Sequence, residues 1–348
     1  MLQPTGAGHR VTHRFCVLLV AVLVLAPPMA SGTAAADDLP RGSALRPGQI
    51  ERGPDTGKLH TEGEVIVDGD RRVRVEQGAY VELLGRDDDE YLVKTIAADY
   101  GSWQLLRVDG DGNVVELRDG GWNVPFAIAS DDGSHVALVR VGPHRTRVTV
   151  VSGATGAVVR HRWFRGHIET MDYGPRRLVL TEWPGRRSRT FWWNPHNNRQ
   201  VRVSSRPALL ADVSADRVSL FLGPVSDCIR VTPLTRPRTQ LWRTCRDQVI
   251  AFSPNGRRMI TSLQGDDHRP PVVQVRRIHG RVQETYRARA MGFAVWENNR
   301  SVLVEALGKT YTAVVRCTPR DSCERVTRLH RNPGHPQGLD WGFPEYRP

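Results

Sequence analysis

Val249-Ile250-Ala251-Phe252-Ser253-Pro254-Asn255-Gly256-Arg257-Arg258-Met259-Ile260 joins an apolar run, a short polar turn and a second apolar run. The arrangement occurs six times, with turns near Asp88, Asp132, Pro175, Ala215, Asn255 and Asn298, at intervals of 40 to 44 residues. The first run of a unit covers residues 124–129, 168–172, 209–213, 249–252 and 292–295, and the second 136–139, 178–180, 218–221, 259–262 and 301–304. Third and fourth runs follow, as at 147–151 and 157–161, and no long helical periodicity interrupts them. Runs this short are strand-length. Four short strands repeated at a period near 40 indicate an all-β chain folded as a β-propeller, each blade burying its faces against its neighbours.

Outside the six units, residues 64–77 alternate well. Val65-Ile66-Val67 and Val73-Arg74-Val75 flank Asp68-Gly69-Asp70 as a hairpin would. This hairpin either completes a seventh blade with Gly338-Leu339-Asp340-Trp341-Gly342-Phe343 or adds an outer strand pair to a six-bladed ring; both join the chain ends and remove exposed sheet edges. Residues 37–63, rich in Pro, Gly and charge, read as a disordered leader. Residues 1–36 read as a secretory signal peptide. Arg10 and Arg14 precede an apolar run over 15–26 that is too short to span a bilayer, and Ala34-Ala35-Ala36 fits a cleavage site. The expected organisation is signal peptide 1–36, leader 37–63, a single propeller domain 64–343 and a tail 344–348.

Beyond Cys16 in the apolar run, the cysteines are Cys228, Cys245, Cys317 and Cys323. Each pair falls on the third and fourth strands of one unit, so two disulfides within blades are expected in an oxidising, exported compartment. The Cys-x-x-Cys spacing usual for zinc is absent. Formal charge is +12, from 49 Lys and Arg against 37 Asp and Glu, and only Lys58, Lys94 and Lys309 are lysines. A basic surface attracts anionic partners. For an exported chain with so general an arginine bias, a nucleic-acid partner is not expected.

Ala251-Phe252-Ser253-Pro254-Asn255-Gly256 closely resembles the repeat phrase of TolB-like and WD-type bacterial propellers, and Ala129-Ser130-Asp131-Asp132-Gly133-Ser134 is a looser match. The rhythm spans residues 81–329, although Tyr173-Gly174-Pro175 and Ser214-Ala215-Asp216 depart from the phrase and the Trp-Asp pairs of eukaryotic repeats are absent. The resemblance implies a fold and a binding role rather than a chemistry.

Propellers place ligands on loops joining one blade to the next and the second strand to the third. Here those loops carry Trp122, Arg145, Arg147, His167, Trp183, Arg186, Arg187, Arg189 and Arg269, a cationic rim with flat apolar surfaces suited to carboxylates, phosphates or sugars. Asp266-Asp267-His268 is the most metal-like cluster, but consecutive residues rarely face one ion and no metal is assigned. Asp109-Gly110-Asp111-Gly112-Asn113 starts like a calcium loop and then has Val114 where glycine is needed. Trp192-Trp193 should send one ring into a blade interface and the other outward. No Gly-x-Ser-x-Gly elbow and no cofactor motif is present.

Two functions fit these observations. One is an exported, noncatalytic propeller that binds a protein or an anionic envelope polymer through its loop rim. The other is a hydrolase or lyase using His167, Asp266 and His268 at the channel mouth.

Overall fold

The repeating runs pair with their own neighbours into seven antiparallel sheets of at least four strands each, the blades of a β-propeller. The structure, a computed structural model, describes residues 42–183, 188–223, 226–265, 269–319, 322–332 and 341–342. The signal peptide and cleavage site expected over 1–36 and the tail expected over 344–348 lie outside the described residues.

Blades 2 to 7 are the six sequence units. Blade 2 runs Tyr80–Asp87, Glu90–Ile96, Ser102–Val108 and Val114–Gly121, and blade 3 Phe126–Ala129, His135–Val141, Arg145–Ser152 and Val158–Arg165. Blade 4 comprises His167–Tyr173, Leu178–Trp183, Arg189–Trp193 and Gln200–Ser204. Blade 5 starts at Ala208–Asp212, blade 6 at Asp247–Phe252 and blade 7 at Ala290–Trp296. Blade 1 is the hairpin Val65–Asp68 and Arg71–Arg74 with His60–Glu62, completed by Trp341–Gly342 from the other end of the chain. The seventh-blade alternative is therefore the one adopted.

The turn phrase works through hydrogen bonds. Ser253 Oγ donates to the Arg258 carbonyl (3.1 Å) and accepts from the Arg258 amide (2.9 Å), while Asn255 Oδ1 accepts from the Arg257 amide (3.1 Å). Ser130 and Asp132 repeat the device in blade 3. Such side-chain acceptors fix a tight turn that the backbone alone leaves underbonded. Gly256 has φ +62, and an added Cβ would lie 2.5 Å from the Ala215 carbonyl of the neighbouring blade.

Apolar residues alternate along each strand and feed clusters between adjacent blades. Trp103, Leu92 and Leu105 of blade 2 meet Val136 and Leu138 of blade 3, and Phe164 of blade 3 meets Ile168, Phe191 and Trp193 of blade 4. Both rings of the Trp192-Trp193 pair are buried. Trp193 joins the blade 3 side and Trp192 the blade 5 side, because each face of a blade is covered by a neighbour; the expected outward ring is not found.

Residues 42–62 correct the expectation of a disordered leader over 37–63. Ser43–Ala44 adds a parallel strand to the outer edge of blade 6, Leu45 is buried, and Gly53 and Glu51 exchange backbone hydrogen bonds with Arg325 of blade 7. Thr56 donates to Glu297 Oε1 (2.6 Å), and Arg316 reaches the Pro54 and Asp55 carbonyls (3.3 and 3.2 Å). The segment needs no apolar periodicity, since it satisfies its backbone on edges that other strands present.

Cys317 stands opposite Cys323 in blade 7, and Cys228 bonds Cys245 in blade 5; both expected disulfides are present.

Candidate functional site

Strands of a blade run alternately toward and away from one end of the ring. The six phrase turns lie at one end, so the blade-to-blade connections and second-to-third loops lie at the other. Blade 3 places its basic outer strand, Arg160-His161-Arg162-Trp163-Phe164-Arg165, between two neighbours and reaches that second end at Arg165. Alternation then divides the strand. Phe164 and Arg162 face blade 4, whereas Trp163 faces blade 2.

On the blade 4 side lies a cleft of about 580 Å³, lined by Arg162, Arg165, Arg189 and Arg202 and by the single carboxylate Glu182. Arg162 donates to the Asn198 carbonyl (3.1 Å) and side-chain oxygen (2.6 Å). Its guanidinium is held below its ordinary pKa by burial and then by the charge of Arg189. Arg189 donates to Glu182 (2.7 Å) and lies over the Phe191 ring at 4.6 Å. Arg202 is exposed and, among the described residues, has no carboxylate partner. The walls thus hold two guanidinia fixed by neighbours, with more positive charge than Glu182 can offset. Such a cleft suits an anionic group, which forked donors can grip at two points.

The residues expected to form one rim are distributed among several blades. Trp122 lies 78 % exposed on the connection from blade 2 to blade 3, and Arg145 and Arg147 are on the third strand of blade 3. Arg145 sits 4.2 Å from the centroid of the Trp163 ring and Arg147 5.7 Å. His167 and Trp183 are on the opposite face of blade 4 from Arg189. Both bond Glu169 (2.7 and 2.6 Å), and Trp183 meets Phe221 of blade 5 edge to face. Arg269 is half-buried in blade 6. Arg186, Arg187, Asp266, Asp267 and His268 lie outside the described residues. His167 is therefore engaged with Glu169, which also accepts from the Trp183 indole. Among the described residues, no group of three or more His, Cys, Asp or Glu is placed to hold a metal ion.

Sequence reasoning missed Arg162, Trp163, Arg165 and Arg202, because they lie on outer strands rather than loops. The available signal was the Arg-x-Arg-Trp-Phe-Arg run itself, in which arginine occupies both faces of a strand.

No protein-family model matches the chain, and no curated protein matches it. Among solved structures, it is similar to the acylaminoacyl peptidase of Pyrococcus horikoshii, with 10% identity, a TM-score of 0.55, and coverage of 76% of this chain and 47% of that one. An acylaminoacyl peptidase in complex with Z-Gly-Gly-Phe-chloromethyl ketone gives 11% identity, a TM-score of 0.53 and the same two coverages. TolB from Acinetobacter baumannii gives 14% identity, a TM-score of 0.43, and coverage of 66% of this chain and 61% of that one. The chain thus spans about half the length of the two peptidases, and the likeness is one of fold. It is a β-propeller, and TolB is among the propellers it resembles.

Proposed function

We propose that the chain is an exported, noncatalytic binding module, carrying an N-terminal signal peptide over residues 1–36, and that it takes an anionic group of an envelope polymer or an acidic protein in the cleft between blades 3 and 4. The observation that carries this reading is the composition of that cleft, in which Arg162, Arg165, Arg189 and Arg202 oppose Glu182 alone among the described residues. The two disulfides agree with an oxidising compartment. The excess positive charge would draw a polyanion from solution before any contact forms.

The test replaces Arg202, exposed and without a carboxylate partner, with alanine, alone and together with Arg189→Gln. Titration calorimetry then measures polygalacturonate and polyphosphate binding at low salt. The reading expects weakening by about tenfold for the double variant, the loss of one charge-assisted contact or more. Binding unchanged for both polymers, in variants of unaltered circular dichroism, overturns it.

A further inference from the structure

The other side of the same outer strand carries a different arrangement. Arg140 stands directly opposite Arg147 across the second and third strands of blade 3, and Arg147 stands opposite Trp163 on the fourth. In the next row Arg145 stands opposite Arg165. Like charges placed directly opposite each other across strands are destabilising, and here two such pairs adjoin. Among the described residues no carboxylate makes an ion pair with Arg118, Arg140, Arg145, Arg147 or Arg165. Glu82 of blade 2 is taken by Lys94. The Arg140 guanidinium is held below its ordinary pKa by burial and then by the charges of Arg147 and Arg118. Arg140 also lies over Trp103, at 5.6 Å, and two donors in this region, Arg147 Nε and Trp103 Nε1, are buried without an acceptor. Buried donors left unbonded cost stability, so this stack of cations opposes folding unless something anionic joins it.

The same loop end of blades 2 and 3 presents Tyr80, Tyr100 and Trp122, with exposures of 48, 54 and 78 %. Their shared placement follows from register. Tyr80 pairs with Ile96, Ile96 with Trp103, Trp103 with Gly120, and the chain after Gly121 delivers Trp122. Tyr80 and Tyr100 stack at 5.2 Å with planes 27° apart. Tyr100 holds φ +56, a backbone conformation that bulky residues avoid and that concentrates at ligand sites. The inner and outer strands of blade 3 are three strand spacings apart, about 14 Å. The rings of blade 2 and the arginines on the second to fourth strands of blade 3 therefore lie side by side at this end as an elongated strip, joined where Arg140 lies over Trp103.

We infer that this strip on blades 2 and 3 binds an acidic saccharide chain, its sugar faces stacking on Trp122, Tyr80 and Tyr100 and its anionic groups entering the Arg140–Arg147 stack. Flat exposed rings bind the apolar faces of sugars, whereas unpaired guanidinium forks hold carboxylate or sulfate groups. The anion relieves the cross-strand repulsion and supplies acceptors for the orphaned donors. The strip meets the cleft between blades 3 and 4 only at Arg165, at the end of the outer strand, so changes at Arg147 or Trp122 and changes at Arg189 or Arg202 let either proposal fail alone.

Binding is measured by calorimetry for the full chain with an oligogalacturonate, a sulfated oligosaccharide, a neutral maltooligosaccharide of matched length and polyphosphate. The two acidic saccharide arms separate carboxylate from sulfate as the source of charge, and tight binding of either supports the inference. The neutral chain should bind at least tenfold more weakly. Arg147→Gln and Trp122→Ala should each weaken acidic saccharide binding by tenfold or so, whereas Trp122→Ala leaves polyphosphate unaffected. Arg147→Lys, which keeps the charge and removes the fork, should behave like Arg147→Gln. Equal binding of the neutral chain, or acidic saccharide binding indifferent to Arg147→Gln or to Trp122→Ala, overturns the inference. Thermal unfolding without ligand guards against a folding artefact. Arg147→Gln should match or exceed the parent midpoint, because it removes a repulsion, and a midpoint lower by several degrees would contradict the unpaired stack.

Discussion

Thr61 pairs with Gly342 across 281 residues of chain, and this ladder, with Glu62 opposite Trp341, ties the start of the propeller to its end. Without Trp341–Gly342, the strand His60–Glu62 presents a bare edge in the middle of the ring. A chain ending at residue 332 should unfold at a midpoint lower by about 5 °C or more, the scale of one to two lost kilocalories in a domain of this size, and should aggregate sooner on heating. An unchanged midpoint would show that the ring closes without the pairing.

Gly256 carries both a positive φ and a carbonyl of the next blade where a Cβ would stand. Gly256→Ala should therefore cost about 1–3 kcal/mol in chemical denaturation. Gly57→Ala, where nothing lies within 4 Å of the added carbon, should stay within about 0.5 kcal/mol of the parent.

The strap over 42–62 should make stability depend on acid. Burial by itself would raise the Glu297 carboxyl, but hydrogen bonds from Arg316 and Thr56 outweigh it and hold the group below its ordinary value. A carboxylate depressed in the folded state contributes stability above its unfolded pKa, and that contribution is lost as pH falls through the folded value. His60 adds to the loss at higher pH. Burial lowers its pKa, so protonation below about 6.5 favours the unfolded chain. Urea midpoints should fall first between neutrality and pH 5 and again in the carboxylate range, and Glu297→Gln should flatten only the second step. A parent protein with a flat profile from pH 7 to 4 would refute this.

Opening the Cys228–Cys245 bond, which encloses 17 residues, should cost about 3 kcal/mol by loss of loop constraint in the unfolded state. The Cys317–Cys323 bond encloses only 6 and should cost less. Paired Cys→Ser variants, compared by thermal unfolding, check the order; equal losses would point to native-state packing instead.

What sequence exposed was local. Ser253-Pro254-Asn255-Gly256 announces its own turn because its side chains bond its own backbone, and Asp68-Gly69-Asp70 does the same for the blade 1 hairpin. The cysteine pairs were readable for a similar reason, since each lies within a single unit. What sequence concealed depends on neighbours. Arg162 and Arg202 come from different blades, and nothing in either strand indicates the other. Residues 42–62 have no alternation of their own because they complete edges supplied by Arg325 and the blade 6 outer strand. Arg145 and Arg147 were legible as basic, but the absence of a carboxylate across from them follows only from register. His167 and Trp183 looked free in a loop reading and proved to share Glu169.

Hydrogen–deuterium exchange of the oxidised protein with and without an oligogalacturonate tests the claim that the loop end of blades 2 to 4 is the binding face. The account predicts protection concentrated in residues 97–103, 118–126, 140–147 and 160–165, with the phrase turns at 130–134 and 253–257 unaltered. Protection at those turns, or at none of these segments while binding is measurable, would contradict it.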